Sequence, residues 1–126
     1  MVTGAASGIG RELAHELAGE GAWLALAARD QERLEKVKSE CETRGGRAIT
    51  VRTDVGQQAQ CAALIEETGR QFGRIDVLVN NAGITMWARF EDIQDLGMIE
   101  RIMRINFFGS VSCTYYALPY LKQAKG

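Results

Sequence analysis

The sequence predicts a doubly wound α/β fold, in which helices cover both faces of a parallel β-sheet. Short apolar segments typical of buried strands alternate along the chain with segments of helical periodicity. A glycine-rich turn joins the first strand to the first helix. The intervening helices are long enough to serve as the crossover connections that parallel strands require.

The first strand and the first helix flank the glycine-rich turn. Residues 1–3 look like the end of a strand, and residues 4–10 form the turn. The buried face of the following helix is predicted from apolar residues that recur every four positions, namely Ile9, Leu13 and Leu17, with Ala14 and Ala18 beside them. Glycines at positions 19 and 21 end this helix.

The second strand is predicted over residues 23–28, an uninterrupted apolar run suited to a strand buried on both faces. Asp30 can cap the next helix, because a carboxylate accepts the free N–H groups of the first turn. The buried positions of that helix are Leu34, Val37 and Cys41. A third strand follows over residues 48–53.

The second half of the chain continues the alternation. A third helix ends at Gly73, and its buried positions are Cys61, Leu64, Ile65, Thr68 and Phe72. Residues 75–80 are predicted as a fourth strand, and a loop runs from Gly83 to about Glu91. A helical stretch reaches about Ile105, and a long helix begins at Asn106 and ends near Gln123.

Composition restricts the functional classes. The chain has 126 residues, of which 46% are hydrophobic and 25% charged, and its net charge is −1. We therefore predict one globular domain over residues 1–126, without a basic surface for nucleic acid. No apolar run approaches the roughly 20 residues of a membrane span. The three cysteines are interpreted as reduced, buried apolar residues, and the single histidine, His15, argues against a metal site.

The turn over residues 3–10, Thr-Gly-Ala-Ala-Ser-Gly-Ile-Gly, carries the clearest chemical signal. It follows a strand and opens a helix, whose N-terminus offers unpaired N–H groups and a partial positive charge. Glycine lets the backbone approach a pyrophosphate closely, because no Cβ intervenes. The alternative interpretation is a plain glycine-rich turn without a ligand.

Four motifs in chain order resemble the short-chain dehydrogenase/reductase family. They are the GxxxGxG turn after Thr3, Asp54-Val55 after the third strand, the Asn-Asn-Ala-Gly segment over residues 80–83, and Asn106 in Arg-Ile-Asn. The stretch over residues 117–123 and the dipeptide Ala28-Arg29 resemble the hydroxysteroid-dehydrogenase-like members. The resemblance covers essentially the whole chain and implies a Rossmann fold that binds a nicotinamide cofactor.

The resemblance also implies a set of site residues. The expected cofactor-binding residues are Gly4, Ser7, Gly8, Ile9, Gly10, Arg29, Asp54, Val55, Asn81, Ala82 and Gly83. Asn106 matches the family's catalytic asparagine, which holds a water in a proton relay, although it could also serve as the N-cap of the long helix. Asn80 either contacts the cofactor ribose or only braces the sheet.

The end of the second strand favours NADP(H) over NAD(H). An acidic residue at this place would accept hydrogen bonds from the ribose 2′-OH and repel a 2′-phosphate. Here the family's NAD-selecting aspartate is replaced by Ala28, and Arg29 follows with a guanidinium suited to phosphate. Asp30 and the uncharged Ser7 argue in the opposite direction, so NAD remains the alternative.

The loop after residue 83 carries several large apolar side chains: Met86, Trp87, Phe90 and Met98. Apolar packing beneath the loop is the simpler interpretation. In relatives this region borders the substrate pocket, which is the alternative.

The family's catalytic tyrosine, its lysine four residues later and its serine on a strand are not found. The residues four positions after Tyr115, Tyr116 and Tyr120 are Pro119, Tyr120 and Ala124. Ser110 and Ser112 fall in a predicted helix. We therefore expect a chain truncated at both ends, with an exposed sheet edge and poor stability, from a parent about twice as long.

The resulting hypothesis is an oxidoreductase that transfers hydride between NADP(H) and a small-molecule carbonyl or alcohol. The resemblance further implies a homo-oligomer paired through the long helix. The alternatives are a non-catalytic module that binds cofactor or partner subunits, and an unstable truncated product. A cytoplasmic location is expected, unless an N-terminal anchor has been lost.

Overall fold

The computed structural model describes residues 1–126 as strands and helices in alternation. The strands are β1 (Val2–Thr3), β2 (Trp23–Ala28) and β3 (Arg47–Arg52). The helices are α1 (Gly8–Gly19), α2 (Gln31–Thr43), α3 (Gln58–Phe72), α4 (Gly97–Met103) and α5 (Gly109–Ala124). A 3₁₀ turn spans Phe90–Asp92, and a π-helical segment over Arg104–Phe108 joins α4 to α5.

The sheet is parallel, with the strand order β1-β2-β3. The predicted fourth strand over residues 75–80 is wrong as a continuous strand. Val79 makes one isolated parallel bridge to Val2, supported by Thr3 N donating to Val79 O at 3.0 Å and Val79 N to Met1 O at 2.9 Å. A ladder needs consecutive partners, and β1 supplies only two residues beside this segment.

The core lies on both faces of the sheet, which confirms the doubly wound α/β architecture. Successive residues of β2 point to opposite faces. Leu24 and Leu26 pack with the buried face of α2, and Ala25 and Ala27 pack with α3 and α5. The predicted buried residues of α2 (Leu34, Val37 and Cys41) and of α3 (Cys61, Leu64, Ile65 and Thr68) are confirmed.

Helix α1 buries part of the predicted apolar face. Ala14 and Ala18 are buried as predicted, together with Gly10 and His15, but the assignment of Ile9 to this face is wrong, because Ile9 is 81% exposed. Small residues allow close packing, since a Cβ on Gly46 would lie 2.9 Å from the Cβ of Ala18. Backbone proximity therefore decides which residues of α1 lie deepest, and Leu17 packs partly buried against the same cluster.

The long C-terminal helix begins earlier than predicted. The backbone is helical without a break from Gly97 to Ala124, so Asn106 lies inside it and the N-cap interpretation is wrong. No glycine or proline between Met98 and Phe108 interrupts the helix. An extra residue is accommodated instead by the π-helical turn, a feature often found at functional sites.

The apolar loop residues are less buried than expected. Trp87 and Phe90 are fully or largely exposed, so the prediction that they pack beneath the loop is wrong for both. The loop contains only a short 3₁₀ turn, which gives large side chains no sheet or helix face to cover.

Candidate cofactor-binding site

A cleft of about 740 Å³ opens at the carboxyl ends of the strands. In parallel α/β sheets this edge is where ligands bind, because the strand ends and the helix N-termini meet there. Four connections contribute to its walls. The lining residues are Gly4, Ala6, Ser7, Ala28, Arg29, Asp30, Arg33, Thr53, Asp54, Val55, Asn81, Ala82, Gly83, Ile84 and Ile105.

The N-terminus of α1 is open toward a ligand. Ser7 occupies the N-cap with an extended backbone, makes no side-chain capping bond, and no acidic residue lies in the first turn. The N–H groups of Gly8, Ile9 and Gly10 find no acceptor in the chain. Helix α2 differs, because the Asp30 side chain accepts its Arg33 N–H and Glu32 lies in its first turn. Of these two helices, only α1 has a first turn whose N–H groups are free to bind an anion and are not opposed by an acidic side chain.

Glycine is required at two positions of the turn for different structural reasons. Gly8 has φ +54, a left-handed backbone that disfavours a side chain, and no atom lies within 4 Å of the position its Cβ would occupy. A Cβ on Gly10 would lie 2.5 Å from Nδ2 of Asn81 and closer still to the Gly4 carbonyl oxygen. Gly8 therefore leaves space on the open side of the turn, and Gly10 permits close packing on the other side.

The Thr3 hydroxyl fastens the glycine-rich turn to the segment after residue 79. Thr3 is buried, and its Oγ1 accepts N–H bonds from Asn81 and Ala82, both at 3.1 Å, while donating to Val79 O at 3.3 Å. Asn81 adds a second link, because its Nδ2 donates to Thr3 O at 3.0 Å and to Gly4 O at 3.3 Å. The side chain of Asn81 thus braces the site from within the cleft wall.

This role of Thr3 was absent from the predicted site residues. The sequence signal was available, because a buried threonine directly before the first glycine must satisfy its hydroxyl. Sequence reasoning could not show which backbone groups it would reach, since they lie 76 to 79 residues away along the chain.

The end of β2 brings several charges to the cleft. The exposed Arg29 side chain lines the cleft without a hydrogen bond or ion pair of its own. Its backbone carbonyl accepts a bond from Arg52 Nε at 3.1 Å, which holds this turn against β3. Asp30 lies beside Arg29 and is bound to Arg33 at 3.4 Å.

The end of β3 places Asp54 and Val55 in the wall, as the sequence predicts for an adenine contact. Asp54 Oδ1 accepts the Gly56 N–H at 2.9 Å, and its second oxygen has no partner in the chain. Val55 is buried against α5, where a Cβ on Gly109 would lie 2.8 Å from Val55 Cγ2. One carboxylate oxygen and an apolar surface therefore face the cleft together.

The side chains of Asn80 and Asn106 make different hydrogen bonds. Asn80 donates from Nδ2 to Thr114 Oγ1 of α5 at 3.0 Å, which favours the bracing interpretation of its side chain. Asn106 binds the Ile84 backbone in both directions, accepting its N–H and donating to its carbonyl, each at 2.8 Å. Asn106 thus positions the strand-to-loop segment that begins at Gly83.

The structure gathers most of the predicted cofactor-binding residues at one cleft. Those in its wall are Gly4, Ser7, Arg29, Asp54, Val55, Asn81, Ala82 and Gly83. Gly8, Ile9 and Gly10 form the first turn of α1 beside the cleft and do not line it. Asn106 is hydrogen-bonded to Ile84 and is also outside the lining.

A pair of buried thiols lies beneath the same connection. Cys61 of α3 and Cys113 of α5 share a small cluster with Val55 and Ile105, and Cys61 donates from Sγ to Val55 O at 3.4 Å. The hydrogen bond with Cys61, together with burial, raises the pKa of the Cys113 thiol above its ordinary range. All three cysteines are buried and free, as the sequence indicates.

Comparison with known proteins decides the family. A sequence model of the family described as short chain dehydrogenase matches residues 1–126. The chain belongs to this family. It is an α/β protein with a Rossmann nucleotide-binding fold.

Relatives of the hydroxysteroid-dehydrogenase type are similar along the whole chain. 11-beta-hydroxysteroid dehydrogenase 1A of Arabidopsis thaliana is 45% identical over 127 residues, covering 100% of this chain and 36% of the relative. 11-beta-hydroxysteroid dehydrogenase A of Sesamum indicum is 41% identical, with the same coverage of 100% and 36%. The chain therefore spans 36% of the length of both relatives.

Solved structures share the fold closely. An alcohol dehydrogenase from the archaeon Thermococcus sibiricus, complexed with 5-hydroxy-NADP, matches with a TM-score of 0.93 and 32% identity, covering 99% of this chain and 53% of that one. An NADH-dependent reductase, A1-R′, complexed with NAD, matches with a TM-score of 0.88 and 31% identity, covering 97% and 51%. These matches support nicotinamide cofactor binding by the fold.

None of the helices combines the length and the apolar character needed to span a membrane.

Proposed function

We propose that this chain binds NADP(H) and forms the cofactor-binding part of an enzyme that transfers hydride between NADP(H) and a carbonyl or alcohol substrate. The observation that carries the proposal is the open N-terminus of α1, with three unpaired N–H groups beside the cleft. These groups and the helix dipole suit a pyrophosphate. The space next to Gly8 allows the backbone to approach it.

The remaining cleft residues fit the other parts of the cofactor. In this proposal the free oxygen of Asp54 accepts a hydrogen bond from the adenine, and Val55 supplies an apolar contact. The backbone from Ala82 to Gly83 borders the cofactor ribose, and Thr3 with Asn81 fixes that backbone in place. When bound, the cofactor supplies the hydride, while the chain positions it and excludes water.

The choice of NADP(H) over NAD(H) rests on Arg29. Its guanidinium lines the cleft at the end of β2 and has no protein partner, so it can bind a 2′-phosphate. An uncharged Ala28 takes the place where a carboxylate would bind the 2′-hydroxyl. A charge-assisted hydrogen bond of this kind contributes about 1.5–3 kcal/mol.

The experiment is a comparison of Arg29→Asp with the unaltered chain. We expect the substitution to weaken NADPH binding at least tenfold, in line with about 1.4 kcal/mol for each factor of ten, and to change NADH binding much less. Binding is measured by calorimetric titration of each nucleotide. Equal losses for both nucleotides would remove the 2′-phosphate role from Arg29.

Asn106 is proposed as the asparagine of the proton relay. Its side chain is bound to Ile84, so a relay water would have to use its main-chain carbonyl or the atoms around the π-helical turn. Pairing of two copies through the long helix also remains a prediction, because the structure contains one chain. Size measurement by analytical ultracentrifugation tests that pairing directly.

A further inference from the structure

Asp30 stands beside Arg29 and would repel a 2′-phosphate if its charge were free. Each oxygen of its carboxylate has a partner in α2, however. Oδ1 accepts the backbone N–H of Arg33 at 3.0 Å, and Oδ2 lies 3.4 Å from Arg33 Nε. One arginine therefore both completes the cap of α2 and neutralises the acidic neighbour of Arg29.

The rest of the Arg33 side chain is available to a ligand. Arg33 lines the cleft together with Arg29, and its side chain is 68% exposed. Its ion-pair contact with Asp30 is made through Nε, and its two terminal nitrogens make no hydrogen bond in the chain. A guanidinium held at one edge by a carboxylate can still present its other edge to an anion.

The other charged side chains near the end of β2 do not line the cleft. Arg52 donates from Nε to the Arg29 carbonyl, does not line the cleft, and so serves to position the turn. Glu32 lies in the first turn of α2 but not in the cleft wall. The cleft therefore receives two guanidinium groups here, and the one carboxylate between them is paired.

We propose that Arg33 is a second specificity-determining residue, which binds the 2′-phosphate together with Arg29 and cancels the repulsion from Asp30. This inference rests on the proposed NADP(H) function and names a residue that the resemblance did not supply. Two planar guanidinium groups can share the oxygens of one phosphate, which a single arginine and a free aspartate could not do.

The experiment measures NADPH and NADH affinities for Arg33→Gln and Arg33→Lys. We expect Arg33→Gln to weaken NADPH binding about tenfold and to change NADH binding less than about twofold, because only NADPH carries the 2′-phosphate. Arg33→Lys keeps the positive charge but lacks the planar guanidinium, so its NADPH affinity should lie between those of the unaltered chain and Arg33→Gln. The capping bond survives in both variants, since its donor is the backbone N–H.

A matched control is available on α3. Arg70 forms the same type of i,i+3 pair, with Glu67, and lies outside the cleft. Arg70→Gln should leave both affinities unchanged, and thermal unfolding of every variant reports whether the fold is retained.

The outcomes separate the two proposals. If the unaltered chain binds neither nucleotide, the proposed function fails and this inference fails with it. Suppose instead that the unaltered chain prefers NADPH. If Arg33→Gln then binds both nucleotides as tightly as the unaltered chain does, or loses affinity for both equally, only the role of Arg33 is overturned.

Discussion

Replacement of Gly10 by alanine tests whether close packing of the glycine-rich turn is a structural requirement. Gly10 is the third residue of α1, and an alanine there would normally favour the helix by up to about 1 kcal/mol. In this chain the new Cβ would lie 2.5 Å from Asn81 Nδ2 and would also overlap the Gly4 carbonyl oxygen. Both neighbours belong to the brace between the turn and the segment after residue 79.

The magnitude follows from these contacts. Inserting a methyl group into packed backbone costs about 1–3 kcal/mol. Displacing Asn81 also weakens its bonds to the Thr3 and Gly4 carbonyls, at about 1 kcal/mol for each bond. After subtraction of the helix preference, we expect Gly10→Ala to lower the free energy of unfolding by roughly 2–4 kcal/mol.

The assay is equilibrium unfolding in urea, with Gly19→Ala as the control. Gly19 ends the same helix, has no positive φ, and has no atom within 4 Å of the position of its Cβ. We expect Gly19→Ala to be neutral or to stabilise the fold by up to about 1 kcal/mol. If Gly10→Ala is as stable as Gly19→Ala, the packing argument for the turn is refuted.

Two further perturbations concern the supports of the fold. Thr3→Val removes the acceptor for the N–H groups of Asn81 and Ala82, so we expect urea unfolding to show a loss of roughly 2 kcal/mol that Thr3→Ser largely avoids. The hydrogen bond from Arg11 lowers the pKa of Glu40, so its carboxylate stabilises the fold above about pH 4.5 and that contribution is lost as pH falls through the lowered value. Unfolding of Glu40→Gln should therefore depend less on pH in this acidic range than unfolding of the unaltered chain, and identical pH profiles would contradict the role of the pair.

The fold was largely predictable because its signals are local. The apolar run of β2 matches the observed strand Trp23–Ala28, and Asp30 accepts the capping bond expected of it. Buried stripes in α2 and α3 also appear where the helical period places them. These features depend on residues close together in the chain.

The failures depend on distant contacts. Ile9 was assigned to the buried face of α1, but it is exposed, and the approach of α1 to its neighbours buries Gly10 beside the predicted Ala14 and Ala18. Asn106 was given a capping alternative, but the helix continues through a π-helical turn and its amide binds Ile84. No periodicity in the sequence encodes either contact.

The candidate site was predictable in its position and less so in its detail. The strand ends had to meet at one edge of a parallel sheet, so the residues after each strand could be assigned to one cleft. The several bonds of the Thr3 hydroxyl depend on side-chain geometry between residues 76 to 79 positions apart in the chain. Such geometry becomes available only when the turns are folded against one another.

The most direct test of the account is amide hydrogen exchange of the chain with and without NADPH. We predict slower exchange at the unpaired N–H groups of residues 8–10 and along residues 29–33 and 81–83, because these segments surround the proposed cofactor. The central claim is that the N-terminus of α1 binds the pyrophosphate. It would be contradicted if NADPH binds but exchange at residues 8–10 is unchanged, or if protection is confined to other segments.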